Sequence, residues 1–221
     1  MTENTLSIGM PAPDFEAMST FGNIKLSDFL GSWVVLFSHP GDFTPVCTTE
    51  FIAFSEAAEE FAKRNTQLLG LSTDSNPSHL AWTYAIKMTT GVSIPFPVVA
   101  DRGGEVARLY GMNTEPYDKH QLVRNVFIID PDAIIRTILI YPSTNGRNVK
   151  EILRILTALQ LTDSENVLTP ANWNINDAVM YPAPSTYRDL QMKEDEIVDD
   201  ENSSCKDWYW CYKHNNKELH D

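Results

Sequence analysis

Cys47 is the residue of this chain whose neighbours most favour chemistry. The preceding Thr44-Pro45 pair is typical of a helix start, with threonine as N-cap and proline at the first helical position. Cys47 would then lie in the first turn, where free backbone N–H groups and the helix dipole favour the nucleophilic thiolate. A helix start stabilises an anion by only ~0.3–1 kcal/mol, so a thiolate at neutral pH also requires a nearby cation.

The residues around Cys47 narrow the chemistry further. Thr44 occupies the position where the first cysteine of a thioredoxin C-x-x-C pair would stand, which argues against a dithiol oxidoreductase. Pro40 precedes the motif, and Glu50 follows Cys47 by one helical turn. Simpler interpretations exist for each: a cysteine near a helix start is more often a small buried residue, Thr44 fits a plain cap, and Glu50 fits a first-turn acid.

Alternating strands and helices must position this motif. Apolar runs and 3.6-residue periodicity predict an α/β fold with a mixed central sheet, a terminal hairpin and a last helix. In the second predicted helix, Leu80, Tyr84 and Met88 share one face. The predicted strands are Trp33–His39, Gln67–Thr73, Phe96–Asp101, Arg124–Asp130 and Ile134–Tyr141, and the predicted helices are Pro45–Lys63, Pro77–Met88, Gly104–Tyr110 and Val149–Gln160.

Composition bounds the rest of the chain. With 221 residues and 43% hydrophobic residues it can bury a core, and a net charge of −13 argues against nucleic acid or an anionic membrane as partner. The N-terminus has no signal-peptide pattern and no apolar stretch is long enough to span a membrane, so we expect a soluble cytoplasmic protein. Residues 165–221 hold twelve of the acids and five of the bases, which predicts a domain over 1–164 and an extended C-terminal appendage over 165–221.

The segment SHPGDFTPVCTTE resembles the peroxiredoxin active-site signature, and its sequence is similar to that of the one-cysteine, peroxiredoxin 6-like subfamily. Arg124 in RNVFIID and Arg147 in ILIYPSTNGRN match the two active-site arginines of that subfamily. The resemblance covers roughly residues 5–190. It implies a thioredoxin-like fold and reduction of hydrogen peroxide and alkyl hydroperoxides, with no metal, haem or flavin required.

The resemblance also implies roles for the site residues. Cys47 would be the peroxidatic nucleophile, Arg124 and Thr44 would bind the peroxide and stabilise charge, and Pro40 would exclude water. Substrate-binding contributions are expected from His39, Arg147 and Glu50, the last by orienting Arg124. Each has a plainer alternative: His39 equally fits a hydrogen-bonded structural histidine, and Arg124 and Arg147 fit surface charges.

Cys205 and Cys211 lie in the aromatic segment SSCKDWYWCYKH of the appendage. They are absent from strictly one-cysteine members and resemble the archaeal-type variant with two C-terminal cysteines. By that resemblance Cys211 resolves Cys47 of a neighbouring subunit, and Cys205 follows as a second resolving cysteine or pairs with Cys211. The rival is a structural zinc, because Cys205, Cys211, His214 and His220 are all zinc-ligand types, although their spacing is unusual for zinc.

The sequence thus predicts a thiol peroxidase that is recycled by a thioredoxin-type or other thiol reductant. The resemblance implies at least a homodimer, with a pentamer of dimers as the larger assembly. A redox-dependent chaperone or peroxide sensor, in which Cys47 oxidation switches assembly, is the alternative function.

Overall fold

A computed structural model describes residues 6–114, 118–196 and 203–214. The chain divides into two compact units, Met1–Lys150 and Glu151–Asp221. The first unit begins with a β-hairpin, followed by a short 3₁₀ helix at Leu26–Phe29. Its strands are β1 (Glu16–Ser19), β2 (Gly22–Lys25), β3 (Trp33–Ser38), β4 (Thr66–Ser72), β5 (Val98–Ala100), β6 (Asn113–Thr114), β7 (Asp118–Leu122), β8 (Arg124–Ile129) and β9 (Ile135–Tyr141), and its helices are α1 (Pro45–Glu56), α2 (Ala58–Lys63), α3 (Asn76–Thr90) and α4 (Glu105–Leu109).

Seven strands of the first unit form one mixed sheet in the order β2-β1-β5-β4-β3-β8-β9. The central strands β3, β4 and β5 pair in parallel. The hairpin β8–β9 joins one side antiparallel to β3, and β1 joins the other side antiparallel to β5. The predicted α/β class with a mixed sheet, its flanking helices and the terminal hairpin are therefore confirmed.

The central strand β3 is buried along its whole length. Val34 and Leu36 belong to the core cluster on one face of the sheet. Phe37, which points to the other face, stacks on Phe54 of α1 with ring centroids 4.1 Å apart. Because both faces are covered, the strand is a continuous apolar run rather than an alternating one. This packing fixes α1 against the end of β3.

Two helices differ from the sequence prediction. The predicted helix Pro45–Lys63 is interrupted at Ala57, whose φ of −90° and ψ of −3° end α1 before α2 begins. On α3, the predicted face of Leu80, Tyr84 and Met88 is exposed, and the buried face carries His79, Trp82 and Ile86. The apolar period identified the helix but not the side that packs, since both stripes of α3 are rich in large side chains.

The second unit has a small core of its own. Trp173, which is 1% exposed, packs with Leu161, Val167 and Val179. Its indole N–H donates to the Asp177 carbonyl. The elements are α5 (Val149–Glu165), whose first two residues belong to the first unit, β10 (Val179–Met180), α6 (Tyr187–Glu196), β11 (Ser203–Asp207) and β12 (Trp210–Lys213), with the three strands in the order β10-β12-β11.

This small core includes residues of the segment that the sequence analysis expects to be an extended appendage. The acidic composition and the prolines concealed a cluster built around one tryptophan, which supplies a large apolar area for burial. The predicted boundary after residue 164 falls near the end of α5, and the first compact unit ends at Lys150, the second residue of that helix. Among the described residues, no helix is long and apolar enough to cross a membrane.

Candidate active site

The first turn of α1 holds Cys47, as the sequence predicted. Thr44 is the N-cap residue with an extended backbone, and Pro45 opens the helix. The Cys47 side chain is fully buried and is a free thiol. The Thr44 hydroxyl makes no capping bond and instead donates to the Gly41 carbonyl at 2.8 Å. The helix therefore begins where predicted, but its cap residue uses its hydroxyl within the preceding loop.

Arg124 places a guanidinium group beside the Cys47 sulfur. It opens β8, next to β3 in the sheet, and one guanidinium nitrogen lies 3.3 Å from Cys47 Sγ. The same nitrogen donates to Glu50 at 2.7 Å, while Nε and Nη2 both donate to the Ser143 carbonyl. The planar group is thus held on two sides, which fixes the charge against the sulfur.

Glu50 lies between two arginines. Arg147 donates to its carboxylate from Nη2 at 2.6 Å, from Nε at 2.9 Å and from its backbone N–H at 2.8 Å. Burial opposes ionisation of Glu50, but the hydrogen bonds and charge of Arg147, with the charge of Arg124, outweigh it and lower the pKa of Glu50. Two cations and one anion leave one net positive charge beside the Cys47 sulfur.

Arg147 is itself buried and ties several elements together. Its Nη1 donates to the carbonyls of Ser38 and Asn125, at the ends of β3 and β8. Burial lowers the pKa of Arg147, and Glu50 partly offsets this, so the guanidinium stays charged at neutral pH. This arginine connects α1 to two strands of the sheet, and a surface role is excluded.

Pro40 and His39 stand between β3 and α1. Pro40 is half-buried. His39 is fully buried, and its Nε2 lies 2.9 Å from Asp42 Oδ1. Burial lowers the pKa of His39, although contact with Asp42 opposes this, so the ring is neutral near pH 7. The observed partner of His39 is a carboxylate inside the protein, consistent with the structural alternative considered from the sequence.

Sequence reasoning missed three groups of this region. The Ser143 carbonyl holds Arg124, and Asp42 and His79 surround His39. Asp42 lies within the recognised motif and could have been flagged by its position. The Ser143 carbonyl and His79, at the buried start of α3, carry no sequence signal of their own, because a main-chain acceptor and a helical histidine have no distinctive pattern.

Cys205 and Cys211 lie opposite each other in the β11–β12 hairpin and form a disulfide. Cys211 is buried and Cys205 is half-buried. Trp208 and Tyr209 form the exposed tip between the two strands. A cysteine pair oxidised in this way offers no thiolate to a zinc ion, and His214 contacts the Ser204 hydroxyl at 2.9 Å. The pairing of the two cysteines that the sequence allowed is the one observed.

Comparison with known proteins decides the family. Residues 8–138 match the AhpC/TSA family, and residues 158–195 match the C-terminal domain of 1-Cys peroxiredoxin. The chain belongs to the peroxiredoxins. A relative named peroxiredoxin 2, from Caldanaerobacter subterraneus subsp. tengcongensis, is 56% identical over 93% of this chain and 92% of its own length. A peroxiredoxin of Methanosarcina mazei is 48% identical over 93% of this chain and 96% of its own.

Solved structures agree with this peroxiredoxin assignment. A yeast mitochondrial 1-Cys peroxiredoxin, studied for thiol resolution via glutathione and thioredoxin systems, is 41% identical with a TM-score of 0.83. A cysteine-to-serine mutant of peroxiredoxin 6 from Arenicola marina is 35% identical with a TM-score of 0.84. Both matches cover 96% of this chain and all of the other. This peroxiredoxin is therefore a peroxidase of the oxidoreductase class with the thioredoxin-like fold that its sequence predicted.

Proposed function

We propose that this peroxiredoxin reduces hydrogen peroxide and alkyl hydroperoxides through a sulfenic acid at Cys47. The thiolate attacks one peroxide oxygen, an S–O bond forms and the O–O bond breaks. Sulfur loses two electrons, and the other oxygen leaves as water or an alcohol after taking up a proton. The 3.3 Å contact between Arg124 and the buried Cys47 sulfur is the observation that carries this proposal.

The surrounding residues take distinct roles in this mechanism. Arg124 stabilises the thiolate and the charge that develops on the leaving oxygen. The Thr44 hydroxyl donates its hydrogen to the Gly41 carbonyl, so its oxygen can accept a hydrogen bond from the O–H of the hydroperoxide. Glu50 and Arg147 hold Arg124 in place, and Pro40 limits access of water. His39 contributes through its contact with Asp42 rather than by touching the peroxide. Cys47→Ser should abolish peroxide consumption, and consumption that persists in this variant would refute the assignment.

The sulfenic acid must then be resolved. We assign this step to Cys211 of a partner subunit, whose sulfur forms an S–S bond with Cys47 as water leaves. Cys205 next attacks Cys211, which frees Cys47 and yields the pair observed in the hairpin. A thioredoxin-type reductant would then reduce this disulfide. It would attack at Cys205, because Cys205 is half-buried whereas Cys211 is buried. In this scheme residues 165–221 act as a dimerisation arm of at least a homodimer, and a pentamer of dimers and a cytoplasmic location stay predictions.

A matched pair of variants tests the resolving step. The protein is fully reduced, desalted, treated with one equivalent of hydrogen peroxide and run on a gel without reductant. Cys205→Ser should accumulate a covalent dimer, because the mixed disulfide between Cys47 and Cys211 has no further thiol to release it. Cys211→Ser should give no such dimer. A Cys205→Ser protein that remains monomeric on this gel would contradict resolution between subunits.

A further inference from the structure

A buried cluster of His39, Asp42 and His79 lies beside the loop that precedes Cys47. Both imidazoles are fully buried, and the Asp42 side chain is 2% exposed. His39 Nε2 lies 2.9 Å from Asp42 Oδ1, and His79 Nδ1 lies 2.8 Å from Asp42 Oδ2. One carboxylate therefore joins the end of β3 to the start of α3. The peroxidase mechanism uses neither Asp42 nor His79 directly.

His79 has an acceptor beside each of its two ring nitrogens. Its Nδ1 faces the Asp42 carboxylate, and its Nε2 lies 3.2 Å from the Val99 carbonyl oxygen. Both partners are acceptors, so both ring nitrogens can donate only when the ring is the doubly protonated imidazolium. His39 differs, because its Nδ1 has no hydrogen-bond partner among the described residues, and it needs one proton on Nε2. Acceptors at both His79 nitrogens therefore favour an imidazolium beside the Asp42 carboxylate.

Asp42 also anchors the backbone around it. Its N–H donates to Asp74 Oδ2 at 2.9 Å, and the same Asp74 oxygen accepts from the Ser72 hydroxyl. The next residue, Phe43, has a φ of +54°, a conformation that side chains other than glycine rarely adopt. Thr44 follows directly and donates to Gly41. The segment from Pro40 to Thr44 is held by these contacts in a conformation it would not adopt alone.

We propose that Asp42 and His79 are positioning residues of the peroxidase, whose buried ion pair holds segment 40–44 so that Pro40 and Thr44 meet the peroxide at Cys47. This inference rests on the proposed role of Cys47. The titratable groups that face the pair are His39, which directly follows β3, and Asp74 from the loop before α3. The distances of 2.8–3.0 Å between the histidine nitrogens and the Asp42 oxygens are those of hydrogen bonds.

The kinetic test compares two reactions of the same sulfur. Asp42→Ala removes the anchor, and we expect the second-order rate of Cys47 oxidation by hydrogen peroxide to fall by about tenfold to a hundredfold, since misplacement by about 1 Å has such effects. The rate of alkylation of the same thiol in partly unfolded protein should be unchanged, because that reaction does not depend on the conformation of segment 40–44. Asp132→Asn, in the exposed β8–β9 turn, is the matched control and should match wild type in both reactions.

The isosteric variant Asp42→Asn keeps the proposal testable if the alanine variant fails to fold. An asparagine can accept from His39 and donate to a neutral His79, so the fold survives while the charge pair is lost. Nitrogen-15 NMR of the histidine rings at neutral pH should show both His79 nitrogens protonated in the wild type, and Nδ1 unprotonated in Asp42→Asn. The His79 signals are assigned by their loss in His79→Gln.

The outcomes distinguish failure of the positioning role from failure of the proposed peroxidase function. If wild type consumes no peroxide, the proposed function fails, although the NMR result still reports on the ion pair. If wild type is active and folded Asp42→Asn, Asp42→Ala and His79→Gln oxidise at the wild-type rate, the positioning role is wrong. A singly protonated His79 in wild type, or one equivalent of tightly bound metal in the purified protein, would overturn the ion pair.

Discussion

Replacing Glu50 by glutamine is the sharpest test of the charge arrangement at Cys47. The carboxylate accepts from Arg124 and from three N–H groups of Arg147, and the side chain is 2% exposed. A glutamine keeps one oxygen but turns an NH₂ group toward two guanidinium groups. Breaking a buried pair in this way costs about 3–5 kcal/mol. At roughly 2–4 °C per kcal/mol for a chain of this size, we expect the Tm to fall by about 6–20 °C.

The pH dependence of that loss tests its cause. The folded-state pKa of Glu50 lies below its ordinary value, so its ionisation stabilises the folded state above the unfolded pKa of about 4.3. That contribution disappears as the pH falls through the folded pKa, where Glu50 is protonated and resembles glutamine. The difference in unfolding free energy between wild type and Glu50→Gln should thus be largest at neutral pH and shrink below about pH 4.

Urea unfolding at fixed protein concentration measures both quantities. Glu56→Gln is the matched control, because it makes the same chemical change on an exposed position of α1 and should stay within about 0.5 kcal/mol of wild type. A Glu50→Gln protein within about 1 kcal/mol of wild type at pH 7 would refute the charge argument. So would a difference that stays constant as the solution is acidified.

Three further substitutions address other features. Arg124→Lys should slow Cys47 oxidation by about 10²–10³ in stopped-flow assays, because one ammonium cannot reach both the sulfur and the Ser143 carbonyl, and a loss under about tenfold would contradict that geometry. Gly70→Ala should cost about 1–3 kcal/mol in urea unfolding, since its Cβ would lie 3.1 Å from the Phe51 ring, and an unchanged midpoint would show that the ring gives way. Trp173→Ala should lower the stability of the second unit by about 3–5 kcal/mol, seen as faster hydrogen exchange in residues 151–221, and equal acceleration in both units would argue against separate cores.

The sequence was most informative where local rules and a motif agreed. The Thr44-Pro45 start of α1, the burial of β3 and the β8–β9 hairpin follow from propensity, periodicity and turn residues, which act over a few positions. Arg124 could be matched to Cys47 only through the family resemblance, because the two residues are 77 positions apart. No local pattern encodes such a meeting.

Other features depend on tertiary packing and were beyond local rules. The buried face of α3 carries His79 and Trp82, whose ring nitrogens hydrogen-bond to side chains of other elements. Leu80 and Tyr84 lie on the exposed face. The β1–β2 hairpin was missed because its strands are four residues long and mostly exposed. The core around Trp173 was missed because the acidic composition averages over the whole segment. A small cluster built around one buried tryptophan hardly changes that average.

The closed hairpin disulfide changes what a thiol assay measures in this protein. With Cys205 and Cys211 paired, the remaining thiol belongs to Cys47, which is fully buried. A bulky colorimetric reagent should then find almost no reactive thiol in the folded protein and one per chain after denaturation. Any additional signal in the folded state reports how much of the hairpin has been opened by reductant. A routine purity check therefore becomes a gauge of the redox state of the second unit rather than of the active site.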